Sequence, residues 1–301
     1  MELKAYAPGI YPRSDALVQA TRDLDRGRTT QDAVEQQFER DFREFVTVQE
    51  QAGLALLSDG LLHWQDHFRQ LAERSDGLDA RPLTRFLDTN TFFRAVLVTG
   101  KPRLRDPVPA PELPAGRWLA TLPAPSSLSQ AAGRDASAEA LAADVLAPQI
   151  EAYSRAGCAL VVLTDPFLAR SGDVREAVAA LAELPRDVPL VLQLPFGDAE
   201  CMLEGLVEAP VEAIGVDFYS TSLDSVPENY PKEIMAGVID SRSSALEDPA
   251  QTGAFVGELL QRKPAGLSLS VNGDLQFVPE PIAREKIARL GRSQLELEDV
   301  A

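Results

Sequence analysis

Apolar residues in this chain gather into eight short runs, at 3–7, 54–57, 118–122, 159–163, 188–192, 213–218, 234–239 and 266–271, each leading into a Gly, Pro, Asp or Asn corner. Between most of them lie stretches with helical spacing, at 15–24, 30–51, 65–73, 136–155, 173–184, 199–207, 249–262 and 281–290. A short apolar run bounded by turn residues and followed by a helical segment is the mark of a buried strand and its crossover helix. Repeated along a chain, it predicts a parallel sheet covered by helices. Eight such units close an α/β (β/α)8 TIM barrel, which typically takes about 250 residues. We therefore expect a single barrel domain over residues 1–301.

Local signals agree with several of these elements. Asp173 opens an alanine-rich stretch of high helix propensity, and Pro281 suits a first helical turn, where no amide donor is missed. The segment 100–116 is rich in proline and charge. Too few strands precede it for an independent sheet, so it reads as a long excursion before the third strand rather than a linker. No solenoid repeat or low-complexity tract interrupts the chain, and 293–301 reads as a frayed acidic tail.

Composition narrows the function. The 46 acidic against 29 basic residues leave a formal charge of −17. A phosphate backbone needs a basic footprint, so nucleic acid is excluded as the main partner, and the acidity reads as a solvated surface. No apolar run approaches the roughly 20 residues of a membrane span, and the first residues, MELKAYAPGI, carry no export or organelle signal. Cys158 and Cys201 are the only cysteines and lie outside any CxxC motif. A cytoplasmic, reducing setting is expected. The sequence carries no signal for an oligomeric state.

In a barrel of this kind the loops after the strands form the active face. Those corners carry Tyr11 and Arg13, Asp59, Asp165, Asp198, Asp217, Asp240 and Arg242, and Asn272 with Asp274. Carboxylates gathered at one mouth raise one another's pKa or collect a cation, while strand-end aspartates also cap the following helix. A planar guanidinium suits a carboxylate or phosphate, so Arg13 and Arg242 are candidate clamps, or partners of neighbouring aspartates. Tyr11, Asp59, Asp165, Asp198, Asp217, Asp240 and Asn272 are expected to line one cavity. His63 and His67, spaced i, i+4 beside Asp66, fall on one helical face, but the glutamate of HExxH is missing. Two rim histidines are the plainer reading. Cys201 is a conceivable relocated thiolate, and Cys158 a small core residue.

These corners resemble, in kind and order, those of the cobalamin-independent methionine synthase family. GIYPR is similar to that family's GSxP corner, QEQAGLALLSDG to its QExxGxDxxxxGE stretch, and LPAPSSL to its LxGPxT strand end. AGCALVVLTDP resembles AGxxxIQIDEP, AGVIDSRSSALE resembles AGVVDxRNxxxE, and SVNGDL resembles the closing VNPDC. The colinearity covers about 260 residues and implies methyl transfer from a methyl-folate to the sulfur of homocysteine, with zinc holding the thiolate. It thus implies zinc as cofactor, and a folate or amino-acid thiol as small-molecule ligand.

The sequence departs from the family where the metal is held. Leu194 and Phe196 of LPFGD stand at the His and Cys of HxCGD, Asp217 at the Glu, and Leu275 at the last Cys. One ligand of four survives, whereas a catalytic zinc normally keeps three protein ligands. The homocysteine-binding carboxylates change too: Leu61 follows Asp59-Gly60 in place of Glu, and Thr164 precedes Asp165-Pro166 in place of Asp. No metal ligand is therefore assigned. The expectation is a divergent family member, a methyltransferase if catalysis is retained. The alternatives are a non-catalytic barrel that binds a ligand or partner and a metal-free, decarboxylase-like enzyme.

Overall fold

The computed structural model describes residues 3–85, 87 and 91–298. Its main sheet has seven parallel strands in the order β1-β9-β8-β7-β6-β5-β4. These are β1 (Lys4–Ala5), β4 (Leu119–Pro123), β5 (Leu160–Thr164), β6 (Leu190–Leu194), β7 (Ala213–Asp217), β8 (Glu233–Ile239) and β9 (Gly266–Val271). Each of β4 to β7 is buried along its whole length, as expected of strands covered on both faces. The helices are α1 (Asp15–Asp25), α2 (Gln31–Gln51), α3 (Arg69–Glu73), α4 (Pro125–Ala131), α5 (Ala138–Leu141), α6 (Ala147–Arg155), α7 (Leu168–Ser171), α8 (Val174–Ala182), α9 (Glu200–Leu203), α10 (Pro249–Gln261) and α11 (Glu280–Glu298).

The sheet curls. Gln193 on β6 donates from Nε2 to the Val271 carbonyl on β9, three strands away, at 3.1 Å. Such a bond is impossible across a flat sheet, whose strands lie about 4.8 Å apart. Tyr6, Leu119, Leu160, Val162, Val191, Ala213 and Met235 pack together inside the curl, with Leu56 against them. Tyr6 completes this layer through a 3.0 Å bond between its hydroxyl and Ser268. The edge strands β1 and β4 are also drawn together. The Gly9 amide, just past β1, donates to Thr121 Oγ1 on β4 at 2.9 Å.

The expected second strand, 54–57, is reduced to a single parallel bridge between Leu57 and Trp118. It nonetheless lies between the two edges: the Ala55 amide donates to Ala5 at 2.8 Å, Leu57 to Arg117 at 2.9 Å, and Leu119 back to Leu57 at 2.9 Å. Gln49 at the end of α2 holds the segment in place, accepting from the Ser58 amide at 2.8 Å and donating to its carbonyl at 3.0 Å.

Several expected elements are corrected. The region before the third strand contains an antiparallel hairpin, β2 (Ser75–Arg85) and β3 (Phe92–Leu104), for which no strand was expected. Its strand β2 bulges twice, first at Gly77, whose φ of +73 and closeness to Lys101 O leave no room for a Cβ. The helix expected at 136–155 is broken by a π turn, Ala142–Leu146, immediately before the segment containing Pro148, which has no amide to donate. The helix expected at 65–73 begins only at Arg69, and α9 ends at Leu203 in a 3-10 turn, Gly205–Glu208. The supposed frayed tail continues α11 to Glu298, and 299–301 lie outside the described residues. Among the described residues no helix is long and apolar enough to cross a membrane.

Candidate functional site at the strand ends

Asp217, the last residue of β7, is almost fully buried and accepts from the amides of Phe196 (3.1 Å) and Tyr219 (2.9 Å), from Ser220 Oγ (2.9 Å) and from Asn272 Nδ2 (2.9 Å). A carboxylate has about four lone-pair directions, so little of this one is left for a ligand. Asn272, just past β9, also accepts from the Ser241 amide at 2.9 Å and reaches Asp240 at 3.5 Å. Asp240 accepts from the Arg242 amide at 3.0 Å. Asp217, Asp240 and Asn272 are thus one hydrogen-bonded group joining the ends of β7, β8 and β9.

Beside this group Phe196 holds a left-handed backbone, with φ +64. Such a conformation costs a residue with a Cβ of order 1–3 kcal/mol, offset here by the amide bond to Asp217. The ring is buried, packs edge-on to Phe277 at 5.3 Å, and carries the Arg242 guanidinium 4.7 Å from its centre. Its far side lies so close to Gly273 that a Cβ there would sit 2.4 Å from Cζ. Leu194 and Leu275 are buried as well. Among the described residues no three His, Cys, Asp or Glu side chains converge to hold a metal ion.

His67 pairs with Asp274 across the mouth, with Nε2 at 2.9 and 3.0 Å from the two carboxylate oxygens and both side chains buried. Asp274 also accepts from the Ile10 amide at 2.9 Å and from Gln276 Nε2 at 3.3 Å. Burial opposes charge on this imidazole. The Asp274 charge and hydrogen bond, with Asp66 adding to them, nevertheless hold its pKa above the ordinary value. Sequence reading placed both histidines on one helix, but α3 starts too late to include them. His63 instead stacks on Phe38 at 4.1 Å and lies 3.9 Å from Glu35.

The remaining candidates are held by partners of their own. Arg13 donates from Nε (2.9 Å) and Nη2 (2.5 Å) to the Leu62 carbonyl and lies 5.2 Å over Phe38, so those donors are bound to the chain rather than open to a ligand. Tyr11 stacks on Phe45 at 4.1 Å and donates its hydroxyl to Glu280 at 3.0 Å. Asp165 is buried and accepts from Ser126, Ser127 (2.7 Å) and the amides of Phe167 (3.2 Å) and Leu168 (3.0 Å). Burial raises its pKa against these bonds. Half-buried Asp59 accepts from the Leu61 amide at 3.0 Å, and desolvation raises its pKa as well. Asp198 is exposed and accepts from the Glu200 amide at 2.9 Å.

Sequence reasoning missed Glu247 and Lys286. The buried Lys286 ammonium donates to Glu247 Oε1 (2.7 Å) and Oε2 (3.0 Å) and to Ala245 O (2.7 Å), fastening α11 to the loop after β8. Glu247 also accepts from the Asp240 amide at 2.9 Å. The signal was present, since Glu247 closes the AGVIDSRSSALE motif.

No protein-family model matches the chain. Over its length it is similar to a methionine synthase of Sulfolobus acidocaldarius, 22% identical over 307 residues, covering 95% of this chain and 90% of that one. A shorter stretch of 72 residues, 23% of this chain and 10% of the relative, is 39% identical to a 5-methyltetrahydropteroyltriglutamate–homocysteine methyltransferase of Mycobacterium leprae. Among solved structures, the chain matches a B12-independent methionine synthase from Shewanella sp. W3-18-1, in complex with selenomethionine, with a TM-score of 0.71, 15% identity and 91% of both chains covered. It matches a protein provisionally described as a vitamin B12-independent methionine synthase from Listeria monocytogenes with a TM-score of 0.72, 17% identity and 99% coverage of both chains. At these identities the structural likeness carries the fold. Taken together, the sequence and structural neighbours point to the cobalamin-independent methionine synthase-like family.

Proposed function

We propose that this chain is a single methionine synthase-like (β/α)8 barrel, closed by the 54–57 segment between β1 and β4, in which an apolar plug replaces the family's zinc and thiolate centre. In this reading it is a cytoplasmic protein that binds a small molecule at the mouth and does not methylate homocysteine through a zinc-bound thiolate. The observation that carries it is Phe196. Its ring occupies the position that the resemblance gives to a zinc-binding cysteine, seated on Gly273, where the family has proline. Leu194 and Leu275 have no lone pair for a metal, and Asp217 is committed to four hydrogen bonds. These residues do not fit zinc. A small ligand is in keeping with the selenomethionine held by the Shewanella protein. The decarboxylase-like alternative needs arginines free in the mouth, and Arg13 is tied to Leu62.

The test is elemental analysis of the purified protein after mild dialysis, paired with a methyl-transfer assay from methyl-folate to homocysteine with and without added zinc. We expect no stoichiometric zinc and no turnover in either arm. One zinc per chain together with zinc-dependent turnover would overturn the reading.

A further inference from the structure

We propose that His67 marks a ligand subsite beside the plugged centre, a cleft that takes the carboxylate or carboxamide head of a flat organic molecule. The cleft is small and opens to solvent, and its walls include Ile10, Asp66, His67, Phe68, Phe92 and Gln276. Four chain segments remote in sequence therefore meet at it: the loop after β1, the turn before α3, the start of β3 and the turn after β9.

Two independent observations point to a ligand here. The first is a buried polar atom without a partner. His67 Nε2 is taken by Asp274, but its Nδ1 is buried and makes no hydrogen bond. Buried polar atoms are satisfied in nearly every case, so an orphan on a residue that borders a cleft points to an absent partner. The nearest carboxylate does not serve: Asp66 accepts from the amides of Phe68 (2.8 Å), Arg69 (2.8 Å) and Arg94 (3.0 Å). With Asp274 against Nε2, Nδ1 donates when the ring carries both protons and accepts when it carries one, so an sp² oxygen suits the first state and an amide N–H the second.

The second observation is the wall. Phe68 and Phe93 meet edge to face at 5.2 Å, while Phe92 beside them is 50% exposed, one of few large apolar side chains left in solvent. An aromatic face beside a buried donor suits a ring bearing a carboxylate or amide, whose plane stacks on Phe92 while its oxygen meets Nδ1. The proposal does not depend on the loss of zinc chemistry, because neither Nδ1 nor Phe92 belongs to the plugged centre.

The chain has only two histidines, so the imidazole nitrogens separate cleanly in long-range 1H–15N spectra of the full protein, with His63→Gln giving the assignment. Benzoate and benzamide are the probes. We expect either one to move the His67 Nδ1 resonance saturably while His63 stays still, and their relative affinity reports whether charge or shape dominates. Phe92→Ala removes only a half-exposed ring and should keep the fold; it should weaken binding about tenfold, as should His67→Gln. The proposal is overturned if neither probe moves His67 Nδ1 up to its solubility limit, or if Phe92→Ala and His67→Gln both bind as tightly as the parent.

Discussion

At the scale of single residues, Phe196 and Gly273 define each other. The ring lies where any side chain at 273 would be, so Gly273→Ala should overpack the site and cost about 1–3 kcal/mol. Phe196→Ala in the same chain should remove most of that penalty, which a double-mutant cycle in urea would detect as coupling. Two additive penalties would mean that the ring does not rest on Gly273. His67 gives a pH prediction. Because its pKa is raised in the folded protein, the stability it contributes is full below the ordinary imidazole value of about 6.5 and is lost as pH rises through the folded value. The stability gap between the parent and His67→Gln should therefore narrow as pH rises from that value, and a widening gap would refute the pairing with Asp274. The leucines and phenylalanine at the positions the resemblance gives to metal ligands were legible in the sequence, because a side chain without a donor stays one in any fold. The partner of His67 was not, since Asp274 lies 207 residues away and only closure of the fold brings them together. The hold on Arg13 was illegible for a similar reason: a carbonyl acceptor leaves no trace in sequence.

At the scale of elements, all seven strands in the main sheet were legible to within two residues of each end, and for β4 to β9 this is because burial on both faces leaves continuous apolar runs. The hairpin was not. Most of β2 beyond Leu78 is exposed or half-buried, so it lacks the two-residue alternation that marks a half-buried strand, and Pro82 and Pro102 argue against one. Lys286 shows how a helix is fixed to the mouth by something other than its apolar face. It is wholly buried against Glu247, and removing one member of such a pair leaves an uncompensated charge. Lys286→Met should destabilise by about 3–5 kcal/mol, and adding Glu247→Leu should recover much of the loss. Denaturant unfolding of the single and double variants measures this. A single variant as stable as the parent would show that α11 is held by its apolar face alone.

For the molecule as a whole, the cooperative question is how firmly the two edges of the curled sheet are joined. From β4 to β9 neighbouring strands share parallel ladders of four to six residue pairs, while the seam between β1 and β4 depends on the three amide bonds of Ala55, Leu57 and Leu119. Side chains reinforce it: Gln49 grips Ser58, Ser58 Oγ donates to Ala7 O at 3.1 Å, and the Gly9 amide donates to Thr121. Regions with few ladder bonds open locally at lower free energy than the core. Native-state hydrogen exchange should therefore find the Ala55 and Leu57 amides opening below the global free energy, and the amides of β6 only at it. Gln49→Leu sharpens the test. Gln49 is fully buried, and its loss strands the Ser58 amide and carbonyl at about 1–3 kcal/mol for each buried group left unpaired. Exchange at Ala55 and Leu57 should accelerate accordingly, and by more than at β6, because the variant adds local opening to whatever global stability it removes. If the seam and β6 accelerate equally, the 54–57 segment unfolds only with the rest of the sheet. It would then be as integral to the fold as any of the ladder-paired strands.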